Sequence, residues 1–223
     1  MDKIQAIKAR HSVRAYTEES IPENVVKTLS DEVETINRES GLNIQLVTEE
    51  PQAFDSFLAH YGRFENVKNY FALVGKKGDD TDEKIGYYGE RLVILSQTLG
   101  LNTCWVALTF SRKKAKVNIS EDESLVVVIS LGYGKTQGAQ HKAKGADKVS
   151  DLKDDDPDWY KRGVECALLA PTAVNQQKFY ISRSGNSVSV TATGGGKMGR
   201  VDLGIVKHDF EIGAGKENFV WAE

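Results

Sequence analysis

The 223-residue chain contains few of the residues that mark several classes of protein. Its only cysteines, Cys104 and Cys166, form no CxxC pair, so a disulfide framework is excluded and both are expected to be small buried hydrophobic residues. The four histidines show no ligand spacing, and no metal site is predicted. These histidines are His11, His60, His141 and His208, of which His208 is expected to be a core residue.

Long hydrophobic runs are also lacking. The longest lies near Leu125 to Leu131 and is far too short to cross a bilayer. The N-terminal stretch MDKIQAIKARHS has no apolar signal region, so we expect a cytoplasmic protein with no membrane partner. A net charge of −3 gives no basis for predicting a nucleic-acid partner, although one phosphate needs only two or three cations.

The hydrophobic pattern alternates between helical and strand periods. The first helical face carries Ile4 and Ile7, and a longer helix is opened by Pro22 and closed by Gly41. Further helices are predicted at 51–62, 82–99, 159–170 and 199–213. Strands are predicted at 42–48, 69–75, 125–134, 178–184, 187–194 and 218–223. This interspersed order indicates an α+β fold, with a mixed central sheet flanked by helices.

The composition changes after Gly134. Residues 135–158 are polar, charged and glycine-bearing, which predicts a long surface connection. The sequence therefore divides into an N-terminal part, 1–134, a linker, 135–158, and a C-terminal part, 159–223, which we expect to form one integrated fold.

The stretch RHSVRAY concentrates polar groups just after the first helix. Arg10, His11, Ser12 and Arg14 lie within five positions of one another. Guanidinium groups, a hydroxyl and backbone amides near a helix end suit a phosphate monoester. A solvated basic turn is the alternative.

A second polar stretch, APTAVNQQ, spans residues 170–177. Pro171 ends a predicted helix, and the hydroxyl and amide side chains of Thr172, Asn175 and Gln177 follow. Amides both donate and accept hydrogen bonds, as a flat polar ligand requires, and buried polar groups left unpaired are destabilising. A capped turn with solvated amides is the alternative.

Both stretches resemble signature motifs of the nitroreductase family of FMN enzymes. The family's first motif, Arg-[Arg/His]-Ser-x-[Arg/Lys]-x-[Phe/Tyr], matches RHSVRAY at every position. In that family the motif binds the flavin phosphate and ribityl chain. The resemblance thus implies that Arg10, Ser12 and Arg14 bind the phosphate end of FMN, and that His11 is also a cofactor-binding residue.

The stretch LGLNTCWVALTF, residues 99–110, resembles the family's Leu-Gly-Leu-Gly-Thr-x-Trp segment. In that family the following backbone crosses the flavin ring and offers an amide to N5, which implies flavin contacts for Thr103, Val106, Ala107 and Leu108. Family members often carry glycine where Ala107 and Leu108 stand, so room above the ring is expected to be reduced. A helix cap with Trp105 in the core is the alternative.

APTAVNQQ resembles the family's Ala-Pro-[Ser/Thr]-x-x-Asn-x-Gln motif. This implies that Thr172, Asn175 and Gln177 bind the flavin ring, and that Pro171 and Ala173 are also cofactor-binding residues. Most family members carry the motif near residue forty, and the late position resembles a branch that carries it in a C-terminal half. There, VDLGIVKHDFEIG also resembles the family's Asp-x-Gly-Ile-Ala-x-x-His helix. Lys142 and Lys144 resemble the family's phosphate-reaching basic residues, with solvated linker charges as the alternative.

The resemblance implies an FMN-dependent NAD(P)H oxidoreductase. Hydride would pass through flavin N5 to a nitroaromatic, quinone or similar small-molecule acceptor in a ping-pong cycle, with no catalytic side chain. The late motif suggests a homodimer, or a pseudo-dimeric monomer whose C-terminal part replaces a second subunit. The alternatives are an oxygen-dependent flavin-cleaving enzyme of the same superfamily and a non-catalytic flavin-binding module, the latter favoured if Leu108 blocks the substrate side.

Overall fold

A computed structural model describes residues 1–55, 59 and 61–222 of the chain. The described α-helices are α1 (Lys3–Ala9), α2 (Glu23–Ser40), α3 (Asp79–Thr98), α4 (Asp158–Ala167) and α5 (Gly196–Ala214). The strands are β1 (Gln45–Val47), β2 (Asn69–Lys76), β3 (Asn102–Val106), β4 (Glu123–Gly132), β5 (Phe179–Ser184), β6 (Ser187–Ala192) and β7 (Val220–Trp221). The helix predicted at 51–62 lies partly outside the described residues. His60 also lies outside them.

Helix α2 confirms the prediction from its periodicity. Leu29, Val33 and Ile36 are buried along one face. The helix ends at Gly41, which has a φ of 72° and donates its N–H to the carbonyl oxygen of Asn37. Only glycine adopts this left-handed conformation without a steric penalty, which explains why the helix ends there.

Four strands form an antiparallel sheet in the order β1-β2-β4-β3. Strand β2 is buried along all but its last residue, as its continuous apolar run predicts. Strand β3 was not predicted, and it pairs along β4 with Thr103 opposite Leu131. Trp105, on this strand, is only half-buried.

A second sheet contains β5, β6 and β7. The β5–β6 hairpin confirms the predicted turn, with Gly185 at a φ of 61°. Strand β7 runs parallel to β6, with Val220 opposite Ser187. The α+β fold class predicted from the sequence is confirmed.

The chain divides into two compact units. We call residues 9–81 and 92–140 the N-terminal unit, which contains the four-stranded sheet. Residues 1–8, 82–91 and 141–223 form the C-terminal unit. Within 135–158, a 3-10 turn at Ala146–Lys148 precedes the buried Ser150, which forms a bridge to Ile181.

Helices of the C-terminal unit pack closely at glycines. A Cβ atom at Gly204 on α5 would lie 2.0 Å from the carbonyl oxygen of Glu83 on α3, and one at Gly213 would lie 2.4 Å from that of Arg162 on α4. Side chains are therefore excluded at both crossings. Cys104 and Cys166 are both buried, as predicted, and so is His208, whose ring meets that of Tyr87 edge-on. No helix among the described residues is long and apolar enough to span a membrane.

Candidate functional site

The RHSVRAY segment lies against the start of β3 in the N-terminal unit. Val13 donates its N–H to the carbonyl oxygen of Thr103 at 3.0 Å, and Ser12 forms a parallel bridge with the same residue. Thr103 itself is buried. The structure thus brings together Thr103 and the phosphate-binding segment that the sequence predicts.

The other end of the segment is fixed to β4 and the residues that follow it. The Tyr16 hydroxyl donates to the carbonyl oxygen of Val13 at 2.8 Å and lies 2.7 Å from Oγ of Ser130. Thr17 donates its N–H to the carbonyl oxygen of Tyr133 at 2.8 Å. Burial raises the pKa of Tyr16 well above its usual value, so the phenol remains a neutral hydrogen-bond donor.

The two guanidinium groups of the segment act on the same buried thiol. Burial raises the pKa of Cys104, while the positive charges of Arg14 and Arg10 lower it. Arg10 is buried and Arg14 is exposed, whereas His11 and Ser12 are half-buried. Gly138 packs closely against this segment, because a Cβ atom added to Gly138 would lie 2.8 Å from Cβ of His11.

Beyond β3, the backbone at residues 107–110 forms a bend. Val106 is buried, Ala107 is half-buried and Leu108 is 82% exposed. Arg112 holds the bend, because its Nη2 donates to the carbonyl oxygens of Ala107 at 3.2 Å and Val126 at 2.8 Å. Its Nη1 also bonds to the carbonyl of Leu125. No sequence pattern indicated this role for Arg112, which begins the ordinary basic run RKKAK.

In the C-terminal unit, residues 172–177 form a loop that carries the APTAVNQQ motif. Gln177 is 1% exposed, and its amide is occupied within the unit. Its Nε2 donates to the carbonyl oxygen of Leu168 at 2.9 Å, and its Oε1 accepts the N–H of Lys144 at 2.7 Å. The side chain of Gln177 thus holds this loop to Leu168 and Lys144, and its contact with the flavin ring stays a prediction.

Lys142 and Lys144 also lie beside this loop. Nζ of Lys144 donates to the carbonyl oxygen of Gln177 at 2.8 Å, and Nδ2 of Asn175 donates to the carbonyl oxygen of Lys142 at 3.0 Å. The hydroxyl oxygen of Thr172 accepts the N–H of Gln177 at 3.0 Å. The structure thus brings both lysines together with the motif residues.

Asp202 on α5 holds the start of the loop. Its two carboxylate oxygens accept the N–H of Ala173 at 2.9 and 3.1 Å. Burial raises the pKa of Asp202 to about 6, and the hydrogen bond from Ala173 opposes that rise. Asp202 was not among the predicted site residues. Its signal was the resemblance of VDLGIVKHDFEIG to the family's Asp-x-Gly helix.

Comparison with known proteins identifies the family. The family model described as "Putative TM nitroreductase" matches residues 2–214. The chain belongs to this nitroreductase family. No curated protein sequence matches the chain.

Solved nitroreductase structures share the fold. A Thermotoga maritima protein designated a "putative nitroreductase" superposes with a TM-score of 0.69 and 22% identity, covering 95% of this chain and 83% of that one. A Desulfovibrio desulfuricans protein of the same designation, in complex with FMN, gives a TM-score of 0.53 and 16% identity over 70% of this chain and 99% of that one. A nitroreductase-like protein of Streptococcus mutans gives a TM-score of 0.57 and 11% identity, with coverages of 68% and 97%.

Proposed function

We propose that this member of the nitroreductase family is an FMN-dependent oxidoreductase. The observation that carries the proposal is the RHSVRAY segment held on β3 by Thr103, in a chain that matches the family model over residues 2–214. The Desulfovibrio relative, described as a complex with FMN, supports the choice of flavin.

The N-terminal unit has the donors that a phosphate requires. Arg10 and Arg14 both bring positive charge to Cys104, and Ser12 adds a half-buried hydroxyl. Guanidinium groups form charge-assisted, often bidentate hydrogen bonds with phosphate oxygens. These residues fit the phosphate of FMN, and we assign them to it.

The C-terminal unit has groups that fit the pyrimidine edge of the isoalloxazine ring. That edge presents two carbonyl groups and one N–H, so it needs both donors and acceptors. The Thr172 hydroxyl accepts from Gln177 and keeps its own proton to donate. Asn175 is exposed, and its Oδ1 accepts no hydrogen bond from the described residues. We therefore assign Thr172 and Asn175 to the ring, and Gln177 to holding the loop that presents them.

The backbone bend after β3 supplies the remaining contact. The N–H of Leu108 has no acceptor among the described residues, and Arg112 fixes the neighbouring carbonyl of Ala107. We assign this N–H to flavin N5. When bound, FMN supplies hydride chemistry at N5 between NAD(P)H and a nitroaromatic or quinone acceptor, in a ping-pong cycle.

The test begins with the purified full chain. We expect visible flavin absorbance, or its appearance when FMN is added, and NAD(P)H oxidation by a quinone above the rate of free FMN. A chain that takes up no FMN contradicts the proposal. Uptake of FMN without turnover would instead identify a flavin-binding module, and breakdown of reduced FMN under oxygen would identify a flavin-cleaving enzyme.

A further inference from the structure

The loop at residues 172–177 has an unusual backbone. Val174, Asn175 and Gln177 have φ angles of 45°, 54° and 46°, in the left-handed region that favours glycine. Non-glycine residues remain in this region only where surrounding contacts fix them, and they concentrate at functional sites and ligand clamps. The side chain of Val174 is 86% exposed, so its own packing does not stabilise this conformation.

The loop is anchored at both ends. Gln177, the last residue of the loop, is held by the hydrogen bonds to Leu168 and Lys144 described above. At the other end, the N–H of Ala173 points to Asp202, which lies 29 positions later on α5. This contact immediately precedes the first strained residue, so a change at Asp202 acts directly on the left-handed stretch.

The carboxylate of Asp202 is placed where a charge is destabilising. The side chain is nearly buried, at 7% exposure, and no described cation lies within ion-pair distance. Charged groups of the neighbouring helices have their own partners: Asp82 of α3 pairs with Arg200 and Lys197, and Glu83 of α3 with Lys207 of α5. From the segment before the loop, Lys144 is bonded to Gln177. A buried, unpaired charge that contacts only one backbone N–H destabilises the folded chain, which points to a role in the loop and not in folding.

We propose that ionised Asp202 is a positioning residue, which holds the Ala173 N–H so that the 172–177 loop keeps the conformation that binds an uncharged planar ligand edge. The proposal rests on the proposed function, because it identifies this ligand with the flavin ring. Protonation of the carboxyl group replaces one of the two acceptor oxygens with a hydroxyl, which weakens the hold on the loop. Since burial raises the pKa of Asp202 to about 6, the change falls within an accessible pH range.

Riboflavin is the probe, because it carries the ring without the phosphate, whose own titration near pH 6 would confuse the result. Affinity is measured by fluorescence quenching from pH 5 to pH 8 with the full chain. We expect the wild-type affinity to fall about tenfold on acidification, and Asp202→Asn to lose about tenfold at pH 7.5 and to show no further pH dependence. Asp156→Asn, which removes the carboxylate of an ion pair with Arg183 in the same unit, controls for the loss of a negative charge and should keep the wild-type profile.

The outcomes separate this inference from the function on which it rests. If wild type binds neither FMN nor riboflavin, both fail. If wild type binds riboflavin and Asp202→Asn has the same affinity and pH profile, the inference alone is wrong. A variant that does not fold is replaced by a measurement on wild type: the amide proton of Ala173 should titrate with a midpoint near pH 6, and a flat amide shift would overturn the inference.

Discussion

The Tyr16 hydroxyl lies 2.7 Å from Oγ of Ser130 near the C-terminal end of β4. The same hydroxyl donates to the carbonyl of Val13, so one buried phenol joins two points of the first 16 residues to the sheet. The segment that we assign to the phosphate lies directly before this junction. The geometry of that segment therefore depends on Tyr16, to which we assign no contact with the ligand.

Tyr16→Phe should lower the free energy of unfolding by about 2 kcal/mol, because the carbonyl of Val13 and the hydroxyl of Ser130 lose a buried partner. Denaturant titration measures the change. Tyr61→Phe is the control, since Tyr61 is 80% exposed and its loss should change stability by less than about 0.5 kcal/mol. Equal effects of the two substitutions would contradict the assigned role of Tyr16.

Gly204→Ala should destabilise the protein by about 3 kcal/mol, because the added Cβ meets the backbone of α3 at Glu83 and Tyr87. Helix propensity alone predicts the opposite sign, a gain of roughly 0.5–1 kcal/mol for alanine. Gly78→Ala provides the control, since nothing lies within 4 Å of a Cβ there. A stabilised Gly204→Ala variant would show that the two helices are not in contact at this point.

Two buried groups give the stability opposite dependences on pH. Burial lowers the pKa of His208 to about 4, so the unfolded chain binds its proton first and stability falls on acidification from about pH 6.5 to pH 4. Burial raises the pKa of Asp202 to about 6, so the folded chain binds that proton first and acidification from about pH 6 to pH 4 increases stability. The two effects partly cancel in the wild type.

Asp202→Asn removes one of these effects. At pH 8 the variant should be more stable than wild type by about 3 kcal/mol, and the difference should vanish near pH 4. Thermal or denaturant unfolding across this pH range measures the difference in the free energy of unfolding between variant and wild type. The contributions of His208 and the other titrating groups are the same in both proteins and cancel. A variant that is less stable at pH 8 would show that Asp202 is a structural acceptor first.

Arg14→Gln should weaken FMN binding by about 10- to 100-fold, because one charge-assisted contact to the phosphate is lost. Riboflavin affinity should be unchanged, since riboflavin has no phosphate. Arg38→Gln removes another exposed charge, from α2 of the same unit, and controls for long-range electrostatics. If Arg14→Gln weakened the binding of both FMN and riboflavin, the result would show that Arg14 supports the fold and does not bind the phosphate.

Leu108→Gly tests whether the Leu108 side chain limits the space for the electron acceptor. Because Leu108 is 82% exposed, the substitution should leave the fold intact, while added room at the bend should raise kcat/KM for a bulky quinone relative to a small one. Steady-state kinetics with two quinones of different size measure the ratio. An unchanged ratio would show that the side chain does not border the acceptor.

Local patterns predicted much of this fold. The periodicity of α2 with its closing Gly41, the apolar run of β2 and the Gly185 turn are properties of neighbouring residues, and all are confirmed. Strand β3 was not predicted, because its five residues directly follow the end of a helix and do not alternate clearly between apolar and polar side chains. Their strand conformation depends on pairing with β4, which comes about twenty residues later.

The site was only partly predictable for a related reason. Motif matching selected the 172–177 loop and both lysines, and the structure brings these together. It did not separate the residues that could contact a ligand from those that hold the loop. The amide of Gln177 accepts from Lys144, 33 positions earlier, and the carboxylate of Asp202 accepts from Ala173, 29 positions earlier. No single-segment pattern contains such contacts.

The C-terminal unit is built from three segments that are distant in sequence, which has a consequence for synthesis on the ribosome. Asp82 and Arg200 form an ion pair although 118 positions separate them, and residues 82–91 belong to a unit completed only by residues 141–223. The face of α3 that packs against Gly204 therefore leaves the ribosome long before α5 exists to cover it. Contacts of such high sequence separation slow folding, and they leave that face open to chaperones and to other nascent chains in the meantime.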